Sequence, residues 1–269
     1  MKILKLKKRY IFLWTTIIII ASAAIFYKPV YKLFYPDYTY RYRLTVEIDT
    51  PDGVKSGSSV IEVHTIQWPK WLKGLFAGNY SQSFVKGEAV FVDLGDGKNV
   101  VALLARGPEA RLYGMSRLAQ RAFFSFPRES FMTPDNTKKL ASMLGEDKDL
   151  NGELIPTLIS LSNVNDSKTA KVVYANELSK FNGSKTSILV NKVAVDNMAT
   201  LGKGVSFKRA YISITNDEVT NKIIKRIPFL ITYDPPFSNT VNDNNSFVLL
   251  KRFFIEEEEQ QMIKLKDKF

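Results

Sequence analysis

The chain has 269 residues, 45% hydrophobic and 24% charged, with 38 lysines and arginines against 27 acids for a formal charge of +11. Such a composition belongs to a folded protein and excludes disordered, collagenous and coiled-coil chains. The absence of cysteine and the single histidine, His64, exclude disulfide frameworks, cysteine nucleophiles, a lipid-modified cysteine anchor and a polyhistidine metal centre within one chain.

The charge is unevenly placed. Residues 1–28 contain Lys2, Lys5, Lys7, Lys8, Arg9 and Lys28 and no acid. A basic stripe interleaved with stacking aromatics, as nucleic-acid binding requires, is not apparent in the rest, so no nucleic-acid partner is expected. From Tyr10 to Tyr27 the chain carries no charge, proline or glycine. As a helix this run spans roughly 27 Å, nearly a bilayer core. The cations before it predict a cytoplasmic N-terminus and an exported C-terminal part in the inner membrane. Ala21-Ser22-Ala23 also matches a cleavage site of a signal peptide, but Ile25, Phe26 and Tyr27 continue the apolar run as an anchor does. The expected organisation is a basic tail at 1–9, a transmembrane helix at 10–27, a linker at 28–37, an exported β-rich domain at 38–255 and a charged tail at 256–269. A subdivision of the domain near 106–150 stays open.

After Pro36 the pattern turns to alternation. Tyr38, Tyr40, Tyr42, Leu44, Val46 and Ile48 alternate with polar residues, which predicts a half-buried strand, and Pro51-Asp52-Gly53 turns it into a second strand over Val54–Ile66. A second hairpin is predicted from Val85–Leu94 and Lys98–Ala105 around Gly95-Asp96-Gly97, with Ala89–Val92 and Val100–Ala105 apolar on both faces and therefore covered. Between the hairpins lies Ile66–Phe76, in which Trp68, Lys70, Trp71, Lys73 and Phe76 combine rings and cations without an acid. Such a loop either folds back as a lid on the core or contacts an anionic membrane face or a partner.

Met115, Leu118, Ala119, Ala122 and Phe123 fall on one helical face, and Thr133-Pro134 opens a helix that Gly145 stops, giving 134–144. Further strands are expected over 154–163, 186–195, 205–215, 227–233 and 246–255, with 167–181 helical or irregular. Asp147, Asp149 and Asn151, followed by Gly152, occupy positions 1, 3, 5 and 6 of a calcium loop. Position 12 is Leu158 rather than a carboxylate, so any calcium binding is expected to be weak, and an acidic turn explains the same letters. No other cofactor is implied.

Ser83 and Lys86 fit a serine–lysine spacing, but at a strand entry the two point to opposite faces. The small residues Gly57-Ser58-Ser59 inside a strand suggest a bulge or close packing. His64 on a strand reads as a hydrogen-bonded structural group.

Residues 40–63, YRYRLTVEIDTPDGVKSGSSVIEV, and 85–105, VKGEAVFVDLGDGKNVVALLA, resemble an uncharacterised family of Gram-negative, single-pass membrane-anchored proteins. The runs at 158–173 and 202–230 add to the likeness. The resemblance implies a Gram-negative origin and assigns no activity or site residue. The chain is thus expected to be an α+β protein: an N-terminal transmembrane helix, then a β-rich mixed domain of hairpins with a few packed helices. Its expected role is a non-enzymatic binding or assembly module of the envelope, with the lipid bilayer and an envelope protein as partners. The alternative is an envelope hydrolase using carboxylates or a Ser-Lys pair.

Overall fold

The structure is a computed structural model that describes residues 14–16, 22, 37–67, 81–110, 114–124, 134–178 and 191–230. Chain contacts divide the protein into two units, one of residues 1–38 and 65–82 and the other of residues 39–64 and 83–269. In the first, Trp14–Thr16 and Ser22 are helical, and Trp14 is 62% exposed. Among the described residues no helix is long and apolar enough to cross a membrane, and most of the expected 10–27 span lies outside them.

The protein is strand-rich and mixed, with two five-stranded antiparallel sheets. The first contains β1 (Asp37–Thr50), β2 (Gly53–Gln67), β3 (Ser81–Lys86), β6 (Asp147–Asp149) and β10 (Ser206–Thr215), in the order β3-β2-β1-β10-β6. The alternation along β1 sends Tyr42, Leu44, Val46 and Ile48 into the core, while Arg41, Arg43 and Glu47 take the opposite face. A register shift between Glu47 and Ile48 keeps that alternation matched to β10.

The second sheet contains β4 (Val90–Gly95), β5 (Lys98–Ala102), β7 (Leu158–Leu161), β8 (Ala170–Asn176) and β9 (Val193–Asp196), in that order. One face shares a core with the first sheet: Val90, Val92, Val100, Ala102 and Leu158 cluster with Leu44, Val46, Ile48, Ile61 and Ile212. On the other face Val101, Leu103, Ile159 and Leu161 cluster with Ile223, Ile227 and Leu230 of the chain's later part. Ile223 opens the short helix α3 (Ile223–Arg226), Leu230 ends the 3-10 turn Pro228–Leu230, and Ile227 joins the two. Burial on both sides is the reason β5 reads as a continuous apolar run. Helices α1 (Leu118–Phe123) and α2 (Pro134–Ser142) sit where the helical spacing and the Thr133-Pro134 start signal put them.

Four expectations change. The single strand predicted over 85–94 is two strands, β3 and β4, which belong to different sheets. The break falls at Gly87, where a Cβ would lie 2.8 Å from the Ile61 side chain, so the chain crosses between sheets at a point only glycine fits. The 167–181 segment, expected to be helical or irregular, contains strand β8, held by pairing to β7 and β9. Of the strand predicted over 227–233, Pro228–Leu230 is a 3-10 turn that lays apolar side chains on the second sheet, and 231–233 lie outside the described residues. The strand predicted over 154–163 shortens to β7, because a 3-10 turn at Gly152–Leu154 and Pro156 precede it. The strand expected over 246–255 and the tail 256–269 lie outside the described residues.

Candidate functional site

The residues singled out from sequence do not come together. Trp68, Lys70, Trp71, Lys73 and Phe76 lie outside the described residues. Asp147 and Asp149 are on the extended strand β6, exposed, with Asp149 opposite Tyr211 and Asp147 opposite Ser213. Asn151 continues in extended conformation, φ −124° and ψ 149°. A calcium loop must curl to aim alternate side chains at one ion, whereas a strand spaces them about 6.6 Å apart. Asp149 instead faces the Arg209 guanidinium at 3.8 Å. Among the described residues no group of three or more His, Asp or Glu side chains is arranged to hold a metal ion. His64 is hydrogen-bonded, its Nδ1 2.8 Å from Thr39 Oγ1. Ser83 and Lys86 are both on β3, three residues apart in a strand and so on opposite faces.

The most concentrated polar chemistry lies where sequence reasoning did not look. Arg106 follows the doubly covered run 100–105 and is only 1% exposed. Its Nη1 donates to the Glu153 carbonyl at 3.0 Å. The Glu153 carboxylate, in a residue 3% exposed, pairs with Arg121 of α1. The neighbouring Gly152 carbonyl accepts from Asn176 Nδ2 of β8 at 2.7 Å. The 3-10 turn at 152–154 is therefore a hub that ties the end of β5, helix α1 and strand β8 to one point. Gly114 belongs to it as well: a Cβ there would stand 2.7 Å from Arg106 Nη2.

Two phenols complete the surroundings. Tyr42 Oη donates to the Met115 carbonyl at 3.2 Å, and Tyr40 Oη donates to the Ser116 carbonyl at 3.2 Å. Burial pushes the Tyr42 hydroxyl well above the ordinary phenol range, with Tyr40 adding to the rise and the Arg106 charge opposing it. Arg106 directs its donor at a protein carbonyl and has almost no solvent access, so the hub rigidifies the scaffold rather than presenting a reactive group. Its trace in the sequence is the arginine closing the apolar run VVALLAR at 100–106.

A second buried acid performs a similar task. Glu88, 4% exposed, accepts from the backbone N–H groups of Lys222 and Ile223 at 2.8 and 2.9 Å. Ser59 Oγ donates to the Glu88 carbonyl at 2.8 Å and lies 2.8 Å from Thr220 Oγ1. The carboxylate thus satisfies amides at the start of α3 and holds that helix on the second sheet.

The solvent face of the first sheet carries ion pairs in register. Glu47 accepts from Arg209 Nε at 2.9 Å and Nη2 at 3.0 Å, opposite it on β10. The Arg209 guanidinium also lies 4.5 Å from the Tyr211 ring centroid. These bonds hold the Glu47 carboxyl below its usual range. Asp217 is likewise lowered, first by the Thr215 hydroxyl and then by Arg43. No protein-family model, curated protein or solved structure matches the chain.

Proposed function

We propose that the chain is a single-pass inner-membrane protein, N-terminus inside, whose strand-rich part faces the periplasm as a non-enzymatic binding or assembly module of the envelope. It would then stand with the anchored family that residues 40–63 and 85–105 resemble. The observation that carries the reading is the use made of buried polar groups. Arg106, Glu88, Asn99 and Asn176 each bond to backbone, and Glu153 joins Arg121. Polar groups committed in this way fix a rigid platform for turns and strand faces, the property a binding scaffold needs. The uncharged run at 10–27 behind five cations supplies the tether.

Two measurements on the full chain test this. After alkaline extraction it should remain with membranes at full mass, with a reporter fused behind Phe269 active only outside the cytoplasm. Purified in detergent, it should release no soluble fragment from isolated cell-wall sacculi. A soluble product beginning at Ala24 defeats the anchor, and sacculus hydrolysis lost with a Ser83→Ala change or an acid-to-amide change defeats the non-enzymatic role.

A further inference from the structure

The turn of the β4–β5 hairpin, the turn after β7 and the end of α3 enclose an open cleft of about 580 Å³. Lys225 and Arg226 line it together with Asp93, Asp96 and Asn163, while Lys98 forms part of the hairpin wall with its amine turned to Gly202, outside the lining, 3.5 Å from where a Cβ would stand there. Neither Lys225 nor Arg226 forms an ion pair among the described residues, although two carboxylates share their cleft. The floor is fixed. Asn99 Nδ2 donates to the Leu161 carbonyl at 2.8 Å, and the Leu161 N–H returns a bond to Asn99 Oδ1 at 3.0 Å, which locks the two turns to each other. Asp93 Oδ1 accepts from the Gly95 N–H at 2.9 Å, and the Arg226 guanidinium is 6.0 Å from the Phe91 ring centroid, so both charged groups are partly preset.

We propose that this cleft binds a sugar carrying one anionic group, a phosphate or a carboxylate. Its volume lies within the range of small-molecule sites and far exceeds what one inorganic anion fills. The charges narrow the chemistry further. Two cations face two carboxylates, so a bare anion would meet the cations only while also facing both aspartates. An uncharged sugar would leave the cations unused. A ligand with an anionic end and hydroxyls satisfies both sets: Lys225 and Arg226 donate to the anion, while Asp93 and Asp96 accept from hydroxyls and Asn163 does either. The inference goes beyond the anchored-module reading and holds wherever the chain resides.

Calorimetry on the full chain in detergent tests it with glucose 6-phosphate, glucuronate, glucose and inorganic phosphate as probes. Glucose 6-phosphate, glucuronate or both should bind at least about tenfold tighter than glucose and inorganic phosphate, the two probes each lacking half of the recognised chemistry. Lys225→Ala with Arg226→Ala, both exposed, should weaken that binding about tenfold at an unchanged melting temperature. Asp96→Asn, tolerable at φ 53°, should narrow the preference for the sugar anion over inorganic phosphate. Saturation by neither sugar anion overturns the proposal. So does equal affinity for inorganic phosphate and glucose 6-phosphate, or binding indifferent to the paired alanine change.

Discussion

Glu153 shows how one residue can hold two distant segments at once. Its carbonyl accepts from Arg106 and its carboxylate faces Arg121, with the Arg121 side chain 11% and its own 4% exposed. Removing one member of a buried pair leaves the other charge desolvated, which costs about 3–5 kcal/mol. Glu153→Ala should therefore lower the melting temperature of the full chain by roughly 10 °C, and Glu153→Gln, which still accepts a hydrogen bond, by less. An Ala variant as stable as the parent would mean that Arg121 finds water when the carboxylate is gone. Sequence alone cannot show this, because Arg106, Arg121 and Glu153 look like three surface charges until the fold brings segments 32 and 47 residues apart onto one turn. The apolar run that Arg106 closes was visible; its partner was not.

At the scale of elements, the local signals work where the determinants are local. The β1–β2 hairpin follows from strict alternation and a Pro-Asp-Gly turn, and β4–β5 from Gly-Asp-Gly, where Gly95, Asp96 and Gly97 all take positive φ. The division of 81–95 between two sheets depends on what Gly87 touches, and β8 depends on pairing partners on both sides, so neither is written in its own residues. The candidate calcium segment shows the same limit, since pairing to β10 draws Asp147–Asp149 straight. Gly57 lies on the legible side: small residues inside a strand suggested close packing, and a Cβ there would come 2.2 Å from the Phe91 carbonyl oxygen of β4. Gly57→Ala must push β2 away from β4, and overpacking of this kind costs about 1–3 kcal/mol. Denaturant melts should show that loss, with Ser56→Ala, exposed on the same strand, near zero. Equal stability of the two variants would argue that β2 shifts freely over β4.

For the molecule as a whole, two sets of groups bound the pH range of stability from opposite sides. On the acid side Glu47 and Asp217 are depressed below their ordinary values of 4.5 and 3.8, Glu47 chiefly by its bonds from Arg209 and Asp217 chiefly by the Thr215 hydroxyl. A depressed carboxyl stabilises the fold fully above its unfolded value, and that contribution is lost as pH falls through the folded value. Neutralising the 27 acids also leaves 38 lysines and arginines unopposed, so self-repulsion acts in the same direction. On the alkaline side burial raises Tyr40 and Tyr42 above 10.0. The unfolded chain releases those protons first, so the stability that depends on neutral phenols is complete below 10.0 and declines as pH rises toward the folded values. Melting temperatures of the full chain should be level between about pH 5 and 9 and fall on both sides. Glu47→Gln should flatten part of the acid limb, and more so at low salt than at high, because its ion pair with the half-exposed Arg209 is screened. The paired change Tyr40→Phe and Tyr42→Phe should cost about 1 kcal/mol per lost hydroxyl bond at neutral pH, yet move the alkaline limb upward. An alkaline limb that stays in place without those two hydroxyls would show that lysine deprotonation, not the buried phenols, sets the upper boundary.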